Sequence, residues 1–221
     1  MRTLIIGDVH GCLDELQALL ARCGRAPEDR VVLVGDLVAK GPDSAGVVRW
    51  ARESGFAAVL GNHDAHVLRA CRGESDVRPK HVAIAETLAA ADVAWLEALP
   101  LWLRFEGAKT ETPQTHIVVH GGLVPGVAID RQERDHLLNL RSITAEGRPS
   151  KRLDGTPWAA LWPGPEHVVF GHDAVRGLQR HAFATGLDSG CVYGRELTAL
   201  VLPSRELVSV PAARAYAAIR A

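Results

Sequence analysis

Six side chains that could bind metal follow short apolar runs at five places in the sequence. The runs are LIIGDVHG, LVGDLVAKGP, AVLGNHD, IVVHGG and VVFGH, and each passes from apolar residues into glycine or histidine. The side chains are Asp8, His10, Asp36, Asn62, His120 and His172. Carboxylate, imidazole and amide oxygen together suit borderline divalent ions such as Mn, Fe, Zn or Co, and they do not form a thiolate site. The pattern therefore predicts a centre that binds divalent cations.

Asp36 is central to this prediction because it ends the apolar run 31–34. A carboxylate at the carboxyl end of a strand points into the crevice where α/β proteins bind ligands. One Gly-Asp after a strand is more often a plain turn, so the prediction depends on the recurrence of the arrangement. Two cations about 3.5–4 Å apart can clamp a displacement at phosphorus. A carboxylate with one oxygen on each cation would hold that spacing, and we expect Asp36 to be this bridge.

The elements that must position these side chains begin in a strand–loop–helix order. Strands are predicted over 3–6, 31–34 and 57–60, with amphipathic helices over 13–23 and 44–54. This order favours a parallel sheet with crossover helices.

The rest of the chain is predicted to add a helical segment and more strands. The pattern is helical over about 66–100, which we interpret as a cap-like segment, and the polar connection 109–115 should be a loop. Further strands are predicted over 101–105, 116–119, 167–170, 182–187, 196–202 and 207–210. The last three follow one another without helices, which predicts antiparallel pairing. We expect one domain over 1–221, made of two packed mixed sheets with helices outside.

Composition narrows the class of function. The 25 basic and 26 acidic residues give a net charge of -1, so no basic surface for general nucleic-acid or membrane binding is expected. The sequence contains no signal-peptide pattern and no apolar run long enough to cross a bilayer. The four cysteines are scattered without a C-x-x-C motif, which favours buried free thiols. A cytoplasmic location is the resulting expectation.

Five ordered blocks resemble the motifs of the calcineurin-like metallophosphoesterases. They are G-D-V-H-G (7–11), G-D-L-V-A-K-G (35–41), G-N-H-D (61–64), H-G-G (120–122) and G-H (171–172). The longer strings GDLVAKGPDS, LGNHDAHVL and LDSGCVYGRELTAL are similar to the ApaH-like phosphatases around symmetrical diadenosine tetraphosphatase. The resemblance extends from residue 4 to about 202. It implies an α/β fold, a four-layer α/β/β/α sandwich of two mixed sheets flanked by helices.

The resemblance also implies a role for each motif residue. The first ion would be held by Asp8, His10 and Asp36, and the second by Asp36, Asn62, His120 and His172. Two divalent ions are implied, with Mn2+ expected and Co2+, Fe or Zn2+ as alternatives. A hydroxide shared by the ions would attack phosphorus in line, and His63 would protonate the leaving oxygen. Lys40, Asn62 and Arg141 match positions that bind phosphate.

The sequence departs from the protein phosphatases of this superfamily at two positions. They usually read G-D-x-V-D-R-G, whereas this chain has Ala39 and Lys40. The missing aspartate normally orients the acid histidine, and Asp64 is our candidate for a partial replacement. Poorer proton donation matters less for a nucleotide phosphate, whose second pKa is near ~6, than for a serine alkoxide. Lysine is a point charge without the bidentate fork of arginine. Both departures favour phosphoanhydrides over phosphoproteins.

The leading hypothesis is a two-metal phosphohydrolase acting on dinucleoside polyphosphates and related nucleotides, with diadenosine tetraphosphate to two ADP as the reference reaction. The alternative is a Ser/Thr or Tyr protein phosphatase or general phosphomonoesterase, whose partner would be a phosphoprotein. A nuclease or a degenerate scaffolding module is less favoured. Asp188 is expected to fix a turn, and Trp158 and Trp162 are expected in the core.

Overall fold

Strands and helices alternate over the first hundred residues, and the second half of the chain is richer in strands. The computed structural model describes residues 2–106 and 115–219. Its helices and strands are, in chain order, β1 (Thr3–Ile6), α1 (Leu13–Arg22), β2 (Arg30–Leu33), α2 (Ser44–Glu53), β3 (Ala57–Ala58), α3 (Asn62–Cys71), α4 (Pro79–Ala85), α5 (Ala90–Glu97), β4 (Trp102–Glu106), β5 (Thr115–Val119), α6 (Arg134–Asn139), β6 (Ser142–Ile143), β7 (Pro149–Ser150), β8 (Thr156–Pro157), β9 (His167–Phe170), β10 (Gln179–Arg180), β11 (Ala184–Gly186), β12 (Glu196–Leu202) and β13 (Glu206–Pro211).

The strands form two five-stranded sheets, with a small three-stranded sheet beside them. The first has the order β13-β12-β1-β2-β3 and the second β10-β11-β9-β5-β4. In the first sheet β1, β2 and β3 run parallel, while β12 is antiparallel to β1. In the second sheet β5 and β9 run parallel, while β4 is antiparallel to β5. Both sheets are therefore mixed, as predicted.

The central strands are buried on both faces. Ile5 and Val32 of the first sheet share one buried cluster with Val118 and Val169 of the second, so this cluster lies between the sheets. Alternate residues of β1 and β2 point away from it and pack with α1 and α2. Burial on both faces explains why these strands read as continuous apolar runs. The arrangement confirms the expected α/β/β/α layers.

The predicted antiparallel pairing of the last three strands is confirmed for β12 and β13 and wrong for β11. β11 belongs to the second sheet and runs parallel to β9, whereas β12 belongs to the first sheet. Of the three predicted strands, only β12 and β13 pair with each other, and this pair is antiparallel as expected. Apolar periodicity identifies a buried strand but not its sheet, which is why the sequence did not separate β11 from β12.

One further region contains strands that were not predicted, and another falls outside the described residues. The irregular stretch 142–157 contains the small sheet β7-β6-β8, whose strands have only two residues each. Such short strands leave no recognisable periodicity. In the predicted loop 109–115, residues 109–114 lie outside the described residues.

The segment after β3 is helical earlier than expected. The helical pattern was predicted from about residue 66, but α3 already begins at Asn62. The backbone N–H of Gly61 donates to Asp64 Oδ2 at 3.0 Å, which satisfies a donor at this helix start. Asn62 and His63 therefore project from the first turn of a helix. α4 and α5 complete the predicted helical segment.

The described residues bear on two features predicted from composition, which are membrane-spanning segments and the state of the cysteines. No helix in the described ranges is both long and apolar enough to cross a membrane. All four cysteines are free, as expected, and Cys12 and Cys191 are buried. Cys71 is exposed, so burial does not extend to every thiol.

Candidate metal centre

The predicted ligands lie together at the carboxyl ends of strands from both sheets. They are Asp8 and His10 after β1, Asp36 after β2, Asn62 after β3, His120 after β5 and His172 after β9. Parallel strands present their carboxyl ends at one edge, which is where α/β folds bind ligands. Packing of the two sheets brings both edges to the same site.

One group of ligands consists of Asp8, His10 and Asp36. A donor atom from each lies within 4.8 Å of the other two, and all three residues are buried. His10 Nε2 is 3.4 Å from Asp36 Oδ2 and 4.0 Å from Asp8 Oδ2. This group comprises the three residues expected at the first ion.

A second group faces the other oxygen of Asp36. His120 Nε2 lies 3.4 Å from Asp36 Oδ1 and 3.0 Å from Asn62 Oδ1. His172 Nδ1 lies 3.2 Å from the same oxygen of Asn62. The other ring nitrogen of His172, Nε2, is buried and has no hydrogen-bond partner among the described residues. The two oxygens of Asp36 thus face different groups, as a bridging carboxylate requires.

Backbone carbonyls fix the tautomers of two of the imidazoles. His10 Nδ1 is 2.9 Å from the carbonyl oxygen of Val38, and His120 Nδ1 is 3.0 Å from that of Val34. Because a carbonyl can only accept, both Nδ1 atoms carry the proton and each Nε2 presents a lone pair toward Asp36. At His120 this lone pair faces a carboxylate oxygen, which is repulsive unless a cation lies between them; at His10 the ammonium of Lys40 lies 2.8 Å from Nε2. The donor set and its orientation therefore fit divalent metal ions.

Burial disfavours the charged form of the ligands. It raises the pKa of Asp36 to about 6 and raises the pKa of Asp8 well above its ordinary value, with Asp188 and then Asp36 adding to the effect on Asp8. It lowers the pKa of His120 to about 4 and the pKa of His172 well below its ordinary value. The imidazoles are neutral at pH 7, so their contacts with carboxylates are not ion pairs. A bound cation would compensate the buried carboxylates.

We expect binding of Mn2+ to release more protons at about pH 6 than at about pH 8. A carboxyl group must be ionised to bind a cation, and Asp36, with its pKa raised to about 6, is partly protonated at the lower pH. The histidines add no protons because their pKa values are lowered. Apparent Mn2+ affinity should therefore increase as the pH rises toward neutrality. Titration calorimetry in buffers of different ionisation enthalpy measures the released protons, and equal release at both pH values would contradict the raised pKa of Asp36.

Close backbone approach holds both carboxylates in place. The N–H of His172 lies 3.1 Å from each oxygen of Asp8. A Cβ atom on Gly171 would overlap Asp8 Oδ1, and one on Gly61 would overlap Asp36 Oδ1. Only glycine lets the backbone come this close, which explains why glycine precedes His172 and Asn62.

The loops of the site have an unusual backbone conformation. Positive φ values of 48–73° occur at His10, Asp36, Ala39, Lys40 and His172. Among the described residues, Arg205 is the other non-glycine residue with positive φ. Such conformations cost free energy and cluster at functional sites. Their concentration here supports a functional role for this edge of the sheets.

His63 lies beside the ligands. Its backbone N–H donates to Asp36 Oδ1 at 2.8 Å, and its ring centroid is 5.2 Å from that of His10. The Nδ1 atom of His63 lies 3.2 Å from Nε2 of His81 on α4. The backbone of His63 thus anchors a ligand, and its side chain lies within reach of the site.

Asp64 has contacts that differ from those expected of an orienting residue. Its Oδ1 accepts the N–H groups of Leu37 and Val38 at 2.9 and 3.2 Å, and its Oδ2 accepts that of Gly61. No hydrogen bond links it to the His63 side chain among the described contacts. Since backbone amides occupy both oxygens, the contacts favour a structural role in which Asp64 fixes the loop after β2 against α3.

A cavity of about 720 Å3 opens beside the ligands. Four of its described lining residues are basic, and the lining is Lys40, His63, Arg78, Pro79, Lys80, Arg141, Tyr193, Ala217 and Ala218. Lys40 Nζ lies 2.8 Å from His10 Nε2 and 5.3 Å from the ring centroid of Tyr193. Lys40 therefore stands between the ligands and the cavity, and the lining suits an anion.

Arg141 lies next to the second group of ligands. Its guanidinium donates to the carbonyl oxygens of His172 and Lys151, each at 3.0 Å. These bonds hold its charge in the cavity wall. The position agrees with the phosphate-binding role expected for Arg141, which stays a prediction.

Sequence reasoning did not identify three residues of this site. Arg78, Lys80 and His81 come from the helical segment, which was interpreted from the sequence only as a cap-like segment. The sequence feature that could have pointed to these residues is the basic run RPKH (78–81). Its position over the cavity depends on how α4 packs on α3.

The remaining expectations concern residues that support the site. Asp188 Oδ1 accepts the N–H of Gly190 at 3.2 Å, in agreement with the expected turn. Trp158 is buried and its Nε1 donates to the carbonyl oxygen of Gly121 at 3.1 Å, so it belongs to the core.

Comparison with known proteins adds an independent line of evidence. The calcineurin-like phosphoesterase family matches residues 1–203. The symmetrical bis(5'-nucleosyl)-tetraphosphatase of Aromatoleum aromaticum is 30% identical over 97% of this chain and 98% of its own length. The Bacillus subtilis relative, bis(5'-nucleosyl)-tetraphosphatase PrpE [asymmetrical], is 31% identical over 96% of this chain and 95% of its own.

A solved structure agrees with these relatives. It is a crystal structure of a protein proposed to be a diadenosine tetraphosphatase, with a TM-score of 0.84 and 39% identity, and it covers 96% of this chain and 93% of its own. Members of the matching family use two divalent metal ions, and the two ligand groups around Asp36 fit that requirement. Because the family match spans nearly the whole chain, this protein belongs to the calcineurin-like phosphoesterases, which are metal-dependent hydrolases.

Proposed function

We propose that this protein hydrolyses phosphoanhydride bonds of dinucleoside polyphosphates, with diadenosine tetraphosphate cleaved to two ADP. The observation that carries the proposal is the position of Asp36, whose two oxygens face separate groups of neutral imidazole and oxygen ligands. The names of the similar proteins support the substrate class.

The ligands would hold two divalent cations. Asp8, His10 and Asp36 would bind one, and Asp36 would share the other with Asn62, His120 and His172. When bound, the cations would supply Lewis-acid stabilisation of the phosphoryl oxygens and lower the pKa of water. We propose Mn2+ because carboxylate, imidazole and amide oxygen form a mixed set that suits it.

The basic cavity would bind and orient the polyphosphate chain. Lys40 and Arg141 lie closest to the ligands and would contact the reacting phosphate. Arg78 and Lys80 line the same cavity from the helical segment and would neutralise phosphates further along the chain. A monophosphate cannot contact this many cations at once, so the lining favours a polyphosphate.

His63 would donate the proton to the leaving oxygen. The residue lies beside Asp36 and lines the cavity. At the position where protein phosphatases of the superfamily have aspartate, Ala39 offers no polar side chain. Weak proton donation is tolerable when ADP leaves, since a nucleotide phosphate is a good leaving group. The alternative of a protein phosphatase or general phosphomonoesterase is disfavoured for the same reason.

A substrate panel tests the proposal. Purified protein with added Mn2+, Co2+, Mg2+ or Zn2+ is given diadenosine tetraphosphate, ATP, p-nitrophenyl phosphate or phosphopeptides, and products are separated by chromatography. We expect the highest kcat/KM on diadenosine tetraphosphate with Mn2+, and ADP as the sole product. ATP with AMP would indicate asymmetrical cleavage, and preference for phosphopeptides would favour the protein phosphatase.

Several narrower statements stay predictions. They are a single domain over 1–221, a cytoplasmic location, a small nucleotide as partner and no general nucleic-acid binding. The near-neutral net charge supports the last of these.

A further inference from the structure

We propose that His81 of α4 is a positioning residue that orients the imidazole of His63 through a hydrogen bond. The proposal rests on the function proposed above, in which His63 is the acid. It gives the helical segment a role in proton donation, although His81 lies outside the five sequence motifs.

The two side chains meet edge to edge. His81 Nε2 lies 3.2 Å from His63 Nδ1, within hydrogen-bond distance, and the ring centroids are 5.4 Å apart at an interplanar angle of 68°. The contact occupies Nδ1 of His63 and leaves Nε2 as the nitrogen that can serve the leaving oxygen. Ala39 cannot make such a contact, and the carboxylate of Asp64 is occupied by backbone amides.

The burial of His81 is unusual for its helix. It is the one buried residue of the seven in α4, all of which are described, and its exposed fraction is 2%. A buried polar side chain is nearly always hydrogen-bonded, and His63 is the partner found here. His66 stacks on the ring of His81, with centroids 5.3 Å apart and planes 10° apart. This stack is a packing contact, separate from the contact between His81 and His63.

The environment keeps His81 able to accept a hydrogen bond. Burial, followed by the charges of His66 and Lys80, lowers the pKa of His81 to about 4, so this imidazole is neutral at pH 7. A neutral imidazole can accept at Nε2, and in the proposed arrangement His81 Nε2 accepts while His63 Nδ1–H donates. In the reaction, the water oxygen bonds to phosphorus as the bond to the leaving oxygen breaks. In this step His63 is protonated at both ring nitrogens. The leaving oxygen takes the proton from Nε2, and His63 is left as the neutral imidazole whose Nδ1–H stays bonded to His81. The proton lost by the water passes to solvent, and Nε2 of His63 takes a proton back from solvent.

Three variants separate positioning from packing. His81→Leu keeps an apolar side chain of similar reach but removes the acceptor. His81→Gln places an amide oxygen near the former Nε2 atom and can still accept from His63. His66→Leu is the matched control, because it removes a stacked histidine whose ring centroid is 6.4 Å from that of His63. Circular dichroism and thermal melting check that each variant folds.

The first measurement is the dependence of kcat on the leaving group, using a series of aryl phosphates and diadenosine tetraphosphate with Mn2+. His81→Leu should lower kcat by about 10–100-fold for the poorest leaving groups and by no more than about 3-fold for p-nitrophenyl phosphate. His81→Gln should recover most of that loss, and His66→Leu should resemble the wild type. Equal losses on all substrates, or a matching effect of His66→Leu, would overturn the proposal.

The second measurement needs no metal and no substrate. Nitrogen-15 spectra of the imidazoles should give His63 a fixed Nδ1–H tautomer in the wild type and in His81→Gln, and a tautomer mixture in His81→Leu. The His63→Ala variant assigns the signals. Identical His63 signals in the wild type and His81→Leu would refute the hydrogen bond.

The outcomes distinguish this inference from the function on which it rests. If His63→Ala is selective for poor leaving groups and His81→Leu is not, the positioning role is wrong while the proposed function stands. If the wild type hydrolyses no phosphate compound with any of the metals, the proposed function is wrong. In that case the positioning role of His81 in catalysis is also wrong, even if the spectra confirm the hydrogen bond between His81 and His63.

Discussion

Asp36→Asn is expected to lower turnover by about 10³-fold or more while the fold persists. The amide keeps the size of the side chain and one oxygen, but it cannot present two anionic oxygens to the two ligand groups. Both groups would lose their shared ligand. The fold should persist because an amide avoids the cost of burying a charge, which is the cause of the raised pKa of Asp36.

The measurement is kcat on diadenosine tetraphosphate at saturating Mn2+, together with metal content and the melting temperature of the metal-free protein. Asp92→Asn is a suitable control, since Asp92 is also a buried carboxylate but pairs with Arg52 at 2.8 Å and is not among the cavity lining residues. It should retain wild-type turnover. Wild-type rates in the Asp36 variant would refute the bridging role.

His63→Ala is expected to lower kcat/KM on alkyl phosphates by about 10²–10⁴-fold and on diadenosine tetraphosphate by about 10-fold or less. An alkoxide needs a proton in order to leave, whereas ADP can leave as an anion because its phosphate has a second pKa near ~6. The variant keeps the backbone N–H that donates to Asp36. It therefore removes the proton donor without removing the anchor of the ligand.

Rates on both substrate classes are compared with those of the His66→Ala variant. His66 lies one turn further along α3, and its replacement should change the rate on neither class greatly. Equal losses on esters and anhydrides after His63→Ala would contradict the leaving-group argument. They would indicate that His63 acts by shaping the site rather than by donating a proton.

The sequence was sufficient to identify the ligands because their signals are local. A strand buried on both faces must be apolar throughout, and the residue that follows it stands at the edge of the sheet. His120 was found in this way directly after such a run, and Asp36 was found one glycine further on. Glycines beside two other ligands were also informative. Gly61 precedes Asn62 and Gly171 precedes His172, and a Cβ atom on either glycine would overlap a ligand oxygen.

The sequence was less informative where a structure depends on distant partners. The periodicity of 184–186 and 196–202 marked two buried strands but not their separate sheets. The two-residue strands of β6, β7 and β8 gave no pattern, because a period cannot be read from two residues.

Only the tertiary structure decided which atoms meet. The packing of two sheets gave each oxygen of Asp36 its own group of ligands, and the packing of α4 on α3 brought His81 to His63, eighteen positions earlier in the chain. Asp64 was placed near His63 by sequence, yet its carboxylate reaches backbone amides of the loop after β2 instead. Burial and strand ends follow from neighbouring residues, so sequence determines them. Contacts between side chains of separate elements depend on how those elements pack, so they are determined only when the whole chain has folded.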